Sequence, residues 1–127
     1  MKIKKTSQII VAIVAVLFVA KAQENGPSAG KLPRLVDLGA LKCVPCKMMA
    51  PILEDLKKEY DGRLAVEFVD VWKNPDAGKE YGVRMIPTQI FYGADGKESF
   101  RHEGFFGKED ILAKWKELGV DLVAKPR

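Results

Sequence analysis

The apolar and polar positions of this chain fall into one unbroken apolar stretch followed by segments of alternating and helical period. Residues 9–20 are 12 apolar residues in a row, with no polar face. Residues 23–31 include Gly26, Pro27, Ser28 and Gly30 and predict a linker. From Leu32 the spacing is that of a small α/β domain, expected to span 32–119 with a tail at 120–127. Residues 35–40 form a short apolar run broken by Asp37, which predicts a buried strand. A helix follows, with Met49, Ile52, Leu53, Leu56 and Tyr60 on one face and Glu54, Lys57 and Lys58 on the other. Pro51 lies inside it and should kink it, because proline removes a backbone donor. Residues 64–71 alternate as a strand, and 74–81 predict a short helix with Asn74 as N-cap. Residues 88–92 and 98–102 flank Ala94-Asp95-Gly96-Lys97, a hairpin signal. The last helix carries Ile111, Leu112, Trp115 and Leu118 and stops at Gly119. The order βαβαββα predicts a central mixed sheet of about four strands with helices on both faces.

Charge changes the reading of the first residues. The formal net charge is +4, but Lys2, Lys4, Lys5 and Lys21 all precede residue 23, which leaves 17 Lys and Arg against 17 Asp and Glu. The remainder is therefore neutral and carries no footprint for nucleic acid or an anionic membrane. The early lysines, the apolar run and Ala20-Lys21-Ala22 have the form of a secretory signal peptide. As a helix the run rises only about 18 Å, short of the roughly 30 Å hydrocarbon core. Residues 1–22 are expected to be a cleaved signal peptide, with a retained N-terminal membrane anchor as the alternative. The domain is then periplasmic or secreted, where disulfides persist.

The chain has two cysteines, Cys43 and Cys46, in Lys42-Cys43-Val44-Pro45-Cys46-Lys47. As a structural staple so short a loop gains about 2 kcal/mol, against nearly 5 for a loop of about 100 residues. As a zinc site the pair supplies two ligands of four, and His102 is the only histidine. The redox reading has a mechanism. Cys43 falls where a strand hands over to a helix, and unpaired N–H groups and the positive helix end there stabilise a thiolate. Cys46, one turn on, can resolve a mixed disulfide. Pro45 is tolerated in the first turn, and Lys42 and Lys47 add positive charge.

The stretch Val36-Asp37-Leu38 through Cys43-Val44-Pro45-Cys46-Lys47-Met48-Met49-Ala50-Pro51 resembles the thioredoxin family. Asn74-Pro75, Tyr81-Gly82-Val83-Arg84 and Ile86-Pro87-Thr88 extend the likeness, which covers roughly residues 32–119. The resemblance implies a thioredoxin-like fold, shortened at its N-terminus. It implies that Pro87 is a cis-proline facing the dithiol, with the backbone of Ile86 pairing with substrate beside Val44 and Pro45. It matches Asp37 to a buried acid that moves the proton of the second thiol, which agrees with the raised pKa expected of a carboxylate in an apolar strand. Gly104 matches a glycine that lets substrate approach, and Pro51 a helix-kinking proline.

The departures are specific. Lys42 and Gly39 stand where the family usually has tryptophans, Val44 where glycine is usual, and Phe68 where a lysine often partners the buried acid. The activity implied is thiol–disulfide exchange, with no cofactor beyond the redox-active pair. The expected role is a monomeric reductant of envelope protein disulfides, apocytochrome c among them. Its expected electron donor is a membrane thiol conduit of the cytochrome c biogenesis type. A dithiol oxidase or isomerase is the alternative within the same chemistry. The non-enzymatic alternative is a Cu(I) chaperone using the thiols with Met48 or Met49. His102, between Arg101 and Glu103, is expected to be a solvated surface residue, and Trp115 a core residue.

Overall fold

Strand β1 (Arg34–Gly39) lies inside the sheet and sorts the apolar side chains into two layers. A computed structural model describes residues 31–126. The segment expected to be a signal peptide or anchor, nearly all of the expected linker and Arg127 lie outside the described residues. After β1 come α1 (Val44–Glu59), β2 (Ala65–Asp70), α2 (Pro75–Glu80), β3 (Thr88–Tyr92), β4 (Glu98–Glu103) and α3 (Lys108–Glu117). The strand order is β2-β1-β3-β4, with β1 parallel to β2 and antiparallel to β3 and with β3–β4 as a hairpin. This is the central mixed sheet of four strands that the βαβαββα order implies.

Alternation along the strands decides what each face buries. Leu35 points into a core built with Val66, Phe91, the α1 residues Met49, Leu53 and Leu56, and the α3 residues Ile111 and Trp115. Val36, Leu38 and Ile90 point the other way, against Val69, Val71, Tyr92, Val83 and Tyr81, the C-cap of α2. Phe91 anchors the larger core, with ring centroids 4.8 Å from Trp115 and 5.4 Å from Phe100, distances at which tilted and edge-on rings attract.

Helix α1 starts at the N-cap Cys43, keeps Pro45 in its first turn and runs without interruption through Pro51 to Glu59. Its inward residues Cys46, Met49, Leu53 and Leu56 recur at helical spacing, so the second cysteine belongs to the core-facing stripe. In α2 the Asn74 side chain caps the Ala77 amide, as expected. Helix α3 ends in two bonds, Gly119 N–H to the Lys116 carbonyl and Val120 N–H to the Trp115 carbonyl, with Gly119 at φ +79°. That closure needs a left-handed residue, which glycine adopts without strain. The segment beyond it returns to the domain: Val120 and Leu122 pack on the larger core, and the Lys125 amide donates to the Glu59 carbonyl. Among the described residues no helix is long and apolar enough to cross a membrane.

Trp115 is 1% exposed, so Trp115→Ala deletes a large buried side chain. The expected loss is about 3–5 kcal/mol by urea denaturation. A loss below about 1 kcal/mol would place Trp115 outside the core that supports α3.

Candidate active site

Cys43 and Cys46 form a disulfide with Cα atoms 5.2 Å apart. The turn that delivers Cys43 is closed by its own amide, which donates to the Ala40 carbonyl at 3.1 Å. Cys43 is half-buried at the helix N-cap, whereas Cys46 is only 4% exposed on the core side of α1. The first turn carries no acidic residue, and Lys42 and Lys47 are exposed beside it. Negative charge on Cys43 therefore meets the positive helix end with no opposing carboxylate in that turn. Cys43 is the more accessible of the two sulfurs, and Cys46 lies beneath it.

The turn is also held from the side. The Asp70 carboxylate accepts from the amides of Leu41 at 3.3 Å and of Trp72 and Lys73 at 3.0 Å. Desolvation pushes its pKa up, but these amides outweigh that and hold it below the ordinary carboxylate value. Asp70 thus ties the end of β2 to the residues leading into Cys43.

Asp37 occupies the middle of β1 with no solvent exposure. It shares a sheet face with Gly39, where a Cβ would lie 3.1 Å from Cys46 Sγ, so Asp37 is on the side of the sheet that carries Cys46. Burial raises its pKa from 3.8 to about 6, and a hydrogen bond from Gln89 opposes the rise. Gln89, equally buried, donates from Nε2 to Asp37 Oδ1 at 2.8 Å. One rank across the sheet reads Phe68, Asp37, Gln89 and His102, one residue per strand.

The Ile86–Pro87 bond is cis. Pro87 is buried and Ile86 half-buried, and the Pro87 carbonyl accepts from the Gly104 amide at 2.7 Å. Gly104, at φ +101°, is in a conformation that favours glycine. The hairpin thereby brings Gly104 beside the Ile86–Pro87 turn, which is further fixed by Thr88 Oγ1 donating to the Met85 carbonyl. Val44 and Pro45 are exposed at the start of α1.

The thioredoxin family model matches residues 18–117. The chain belongs to the thioredoxin family. The thioredoxins of Staphylococcus epidermidis and Staphylococcus aureus are 42% and 41% identical to it over 78 residues, which is 61% of this chain and 74% of each of theirs. A crystal structure of chloroplastic thioredoxin z matches with a TM-score of 0.64 at 32% identity, covering 72% of this chain and 81% of that one. A structure described as a malarial protein also gives a TM-score of 0.64, at 24% identity over 68% of this chain and 97% of its own, which speaks for the fold alone. With its Cys43–Cys46 pair, this thioredoxin family member is a thiol–disulfide oxidoreductase.

The departures from the family pattern have visible consequences. A mostly apolar cavity of about 290 Å³ lies beside Cys46, lined also by Ala40, Leu41, Ala50, Leu53 and Phe68, and the space over Gly39 is taken by Cys46 and Phe68. Phe68 packs at Gly39, with its ring 3.2 Å from where a Cβ would sit, and offers Asp37 no hydrogen bond. The polar partner of the acid comes instead from β3, as Gln89. Sequence reasoning missed Gln89; the signal was a lone amide on the inward face of an otherwise apolar strand, one strand from Asp37. It also missed the amide-binding role of Asp70, which depends on a loop fold that periodicity does not specify.

His102 is a correction to the sequence expectation. It is half-buried, stacked on Phe106 with centroids 4.0 Å apart, and its Nε2 lies 3.2 Å from the Phe105 carbonyl. The chain past Gly104 folds back over the hairpin and covers it. Met49 is fully buried and its Sδ accepts from the Phe106 amide, which leaves Met48, 53% exposed, as the free thioether near the thiols. Among the described residues no group of three or more His, Cys, Asp or Glu could hold a metal ion.

A carboxyl with a raised folded pKa binds its proton more tightly in the fold than in the unfolded chain. The disulfide form should therefore lose stability as pH rises from 3.8 through about 6. At about 1.4 kcal/mol per unit, the loss approaches 3 kcal/mol. Asp37→Asn should abolish this slope and exceed the parent in stability at pH 8, measured by urea denaturation across pH. An unchanged slope in the variant would mean that Asp37 is not the buried titrating group.

Proposed function

We propose that this enzyme works outside the cytoplasm as a reductant of disulfides in envelope proteins. The Cys43 thiolate attacks one sulfur of a substrate disulfide. That bond breaks, one substrate half leaves as a thiolate and takes a proton from water, and the other is joined to Cys43. Cys46 then gives its thiol proton to Asp37 and attacks the Cys43 sulfur. The mixed disulfide breaks, the Cys43–Cys46 bond forms, and the second half leaves as a thiolate that is protonated in turn. Two electrons pass from the dithiol to the substrate, and the cycle needs no prosthetic group.

The observation that carries this order of events is the unequal exposure of the two sulfurs, Cys43 half-buried at the helix N-cap and Cys46 nearly enclosed on the side of Asp37. Substrate lies along Ile86 and cis-Pro87, bordered by Val44, Pro45 and Gly104. The Gly104–Pro87 hydrogen bond supports that grouping. Export is supported by the signal-peptide pattern of residues 1–22. An exported reductant must regain electrons, and a membrane thiol conduit of the cytochrome c biogenesis type suits that need, with apocytochrome c among its substrates.

Two measurements test the reading. The reduction potential of the Cys43–Cys46 couple against glutathione is expected near that of a reductant, about −270 mV. A value of about −120 mV, typical of a strong disulfide donor, would overturn the direction of electron flow. Cys46→Ser should trap mixed disulfides through Cys43 with envelope proteins. Trapping by Cys43→Ser alone that equals or exceeds trapping by Cys46→Ser would overturn Cys43 as the attacker.

A further inference from the structure

An amide side chain is placed in an apolar interior only at a desolvation cost, which hydrogen bonds must offset. Gln89 has no solvent exposure, and its Nε2 bond to Asp37 Oδ1 is the one side-chain hydrogen bond that either residue makes among the described residues. Its Oε1 and the second carboxyl oxygen, Asp37 Oδ2, have no hydrogen-bond partner there. On the other flank of Asp37 stands Phe68, which has no polar atom to offer. The amide therefore spends its burial on a single contact, and that contact is with the acid beneath the dithiol.

We propose that Gln89 is a positioning residue that holds the Asp37 carboxyl in place in both of its protonation states. An amide is suited to this because it carries a donor and an acceptor on one planar group. Against the carboxylate, Nε2–H donates, as the structure shows. Once Asp37 has taken a proton, its O–H can donate to Oε1, which has no competing partner. A cationic partner would favour the charged acid alone, and an apolar one would release the side chain in either state. The inference rests on the reading of Asp37 as the group that accepts the Cys46 proton.

Other titratable groups face this region from each neighbouring element. Helix α1 brings Cys43, Cys46, Lys47 and Glu54, the last two on the rim of the cavity shared with Phe68. Strand β2 brings Asp70, which is committed to loop amides, and β4 brings His102, directly opposite Gln89 and committed to Phe105 and Phe106. The buried residues of α3, Ile111 and Trp115, do not titrate. Gln89 alone among these surroundings bonds to the Asp37 carboxyl.

The test follows Asp37 and the reaction together in the full chain. Gln89→Met keeps length and removes the amide. The Asp37 carboxyl carbon is titrated by NMR in the parent and in the variant. The release of the second thiolate from a chromogenic aromatic disulfide, the step in which Cys46 resolves, is timed across pH in both. The bond to the carboxylate is charge-assisted and the stronger of the two, so its loss should raise the Asp37 midpoint, by up to about one pH unit. The alkaline displacement of the resolution profile should match it. A merely structural role for Gln89 would lower stability and leave both midpoints in place, and that result would overturn the proposal. A displaced carboxyl midpoint with an undisplaced rate profile would overturn Asp37 as proton acceptor, and the role of Gln89 in the reaction with it. A parent measurement guards against a variant that does not fold. The Gln89 side-chain amide resonances should move with the Asp37 titration, and amide signals indifferent to it would likewise overturn the proposal.

Discussion

A carboxyl group with no solvent contact sits in a central strand of the sheet, and one of its oxygens takes a hydrogen bond from a neighbouring strand. Much of the site depends on that arrangement. Because β1 is paired on both edges, Asp37 cannot reach water by a small movement of its strand. Burial therefore raises its pKa into the range where a proton can be taken and returned near neutral pH. The same strand ends at Gly39, and the turn after it presents Cys43 at the start of α1. Position in the sheet thus couples the acid to the dithiol without any direct chain connection between β3 and α1.

The unequal exposure of the two sulfurs is a consequence of helix geometry. Cys43 lies at the N-cap, outside the helical stripe, where access and the helix end favour a nucleophile. Cys46 falls into register with Met49, Leu53 and Leu56 and is carried into the core. Gly39 and Phe68 then shape its surroundings. Cys46 and Phe68 close in over Gly39, and where a polar group would flank Asp37, this chain has a ring. These features separate its site from the common family pattern while leaving the exchange chemistry intact.

Much of this was legible in the residues themselves. The helical period of α1, the Asp95-Gly96 turn, the Asn74 cap and the Gly119 stop are local signals, and local physics decides them. The helix-start position of Cys43 and the burial of Asp37 followed from spacing and from the resemblance to the family. What was not legible depends on which strands become neighbours. Gln89 acquires meaning only when β3 pairs with β1, His102 only when Phe106 folds over it, and Asp70 only when the Leu41 amide comes within reach. The packing of Val120 and Leu122 is of the same kind, since a short apolar pair after a helix stop has no period to read.

The most direct measurement is the rate at which a mixed disulfide on Cys43 is resolved at pH 7 in the parent and in Asp37→Asn. If Asp37 accepts the Cys46 proton, resolution in the variant slows by about a hundredfold or more and recovers at alkaline pH, where solvent hydroxide replaces the lost base. Equal rates in the two proteins at pH 7 would contradict the assignment of Asp37 and, with it, the link between the buried acid and the dithiol.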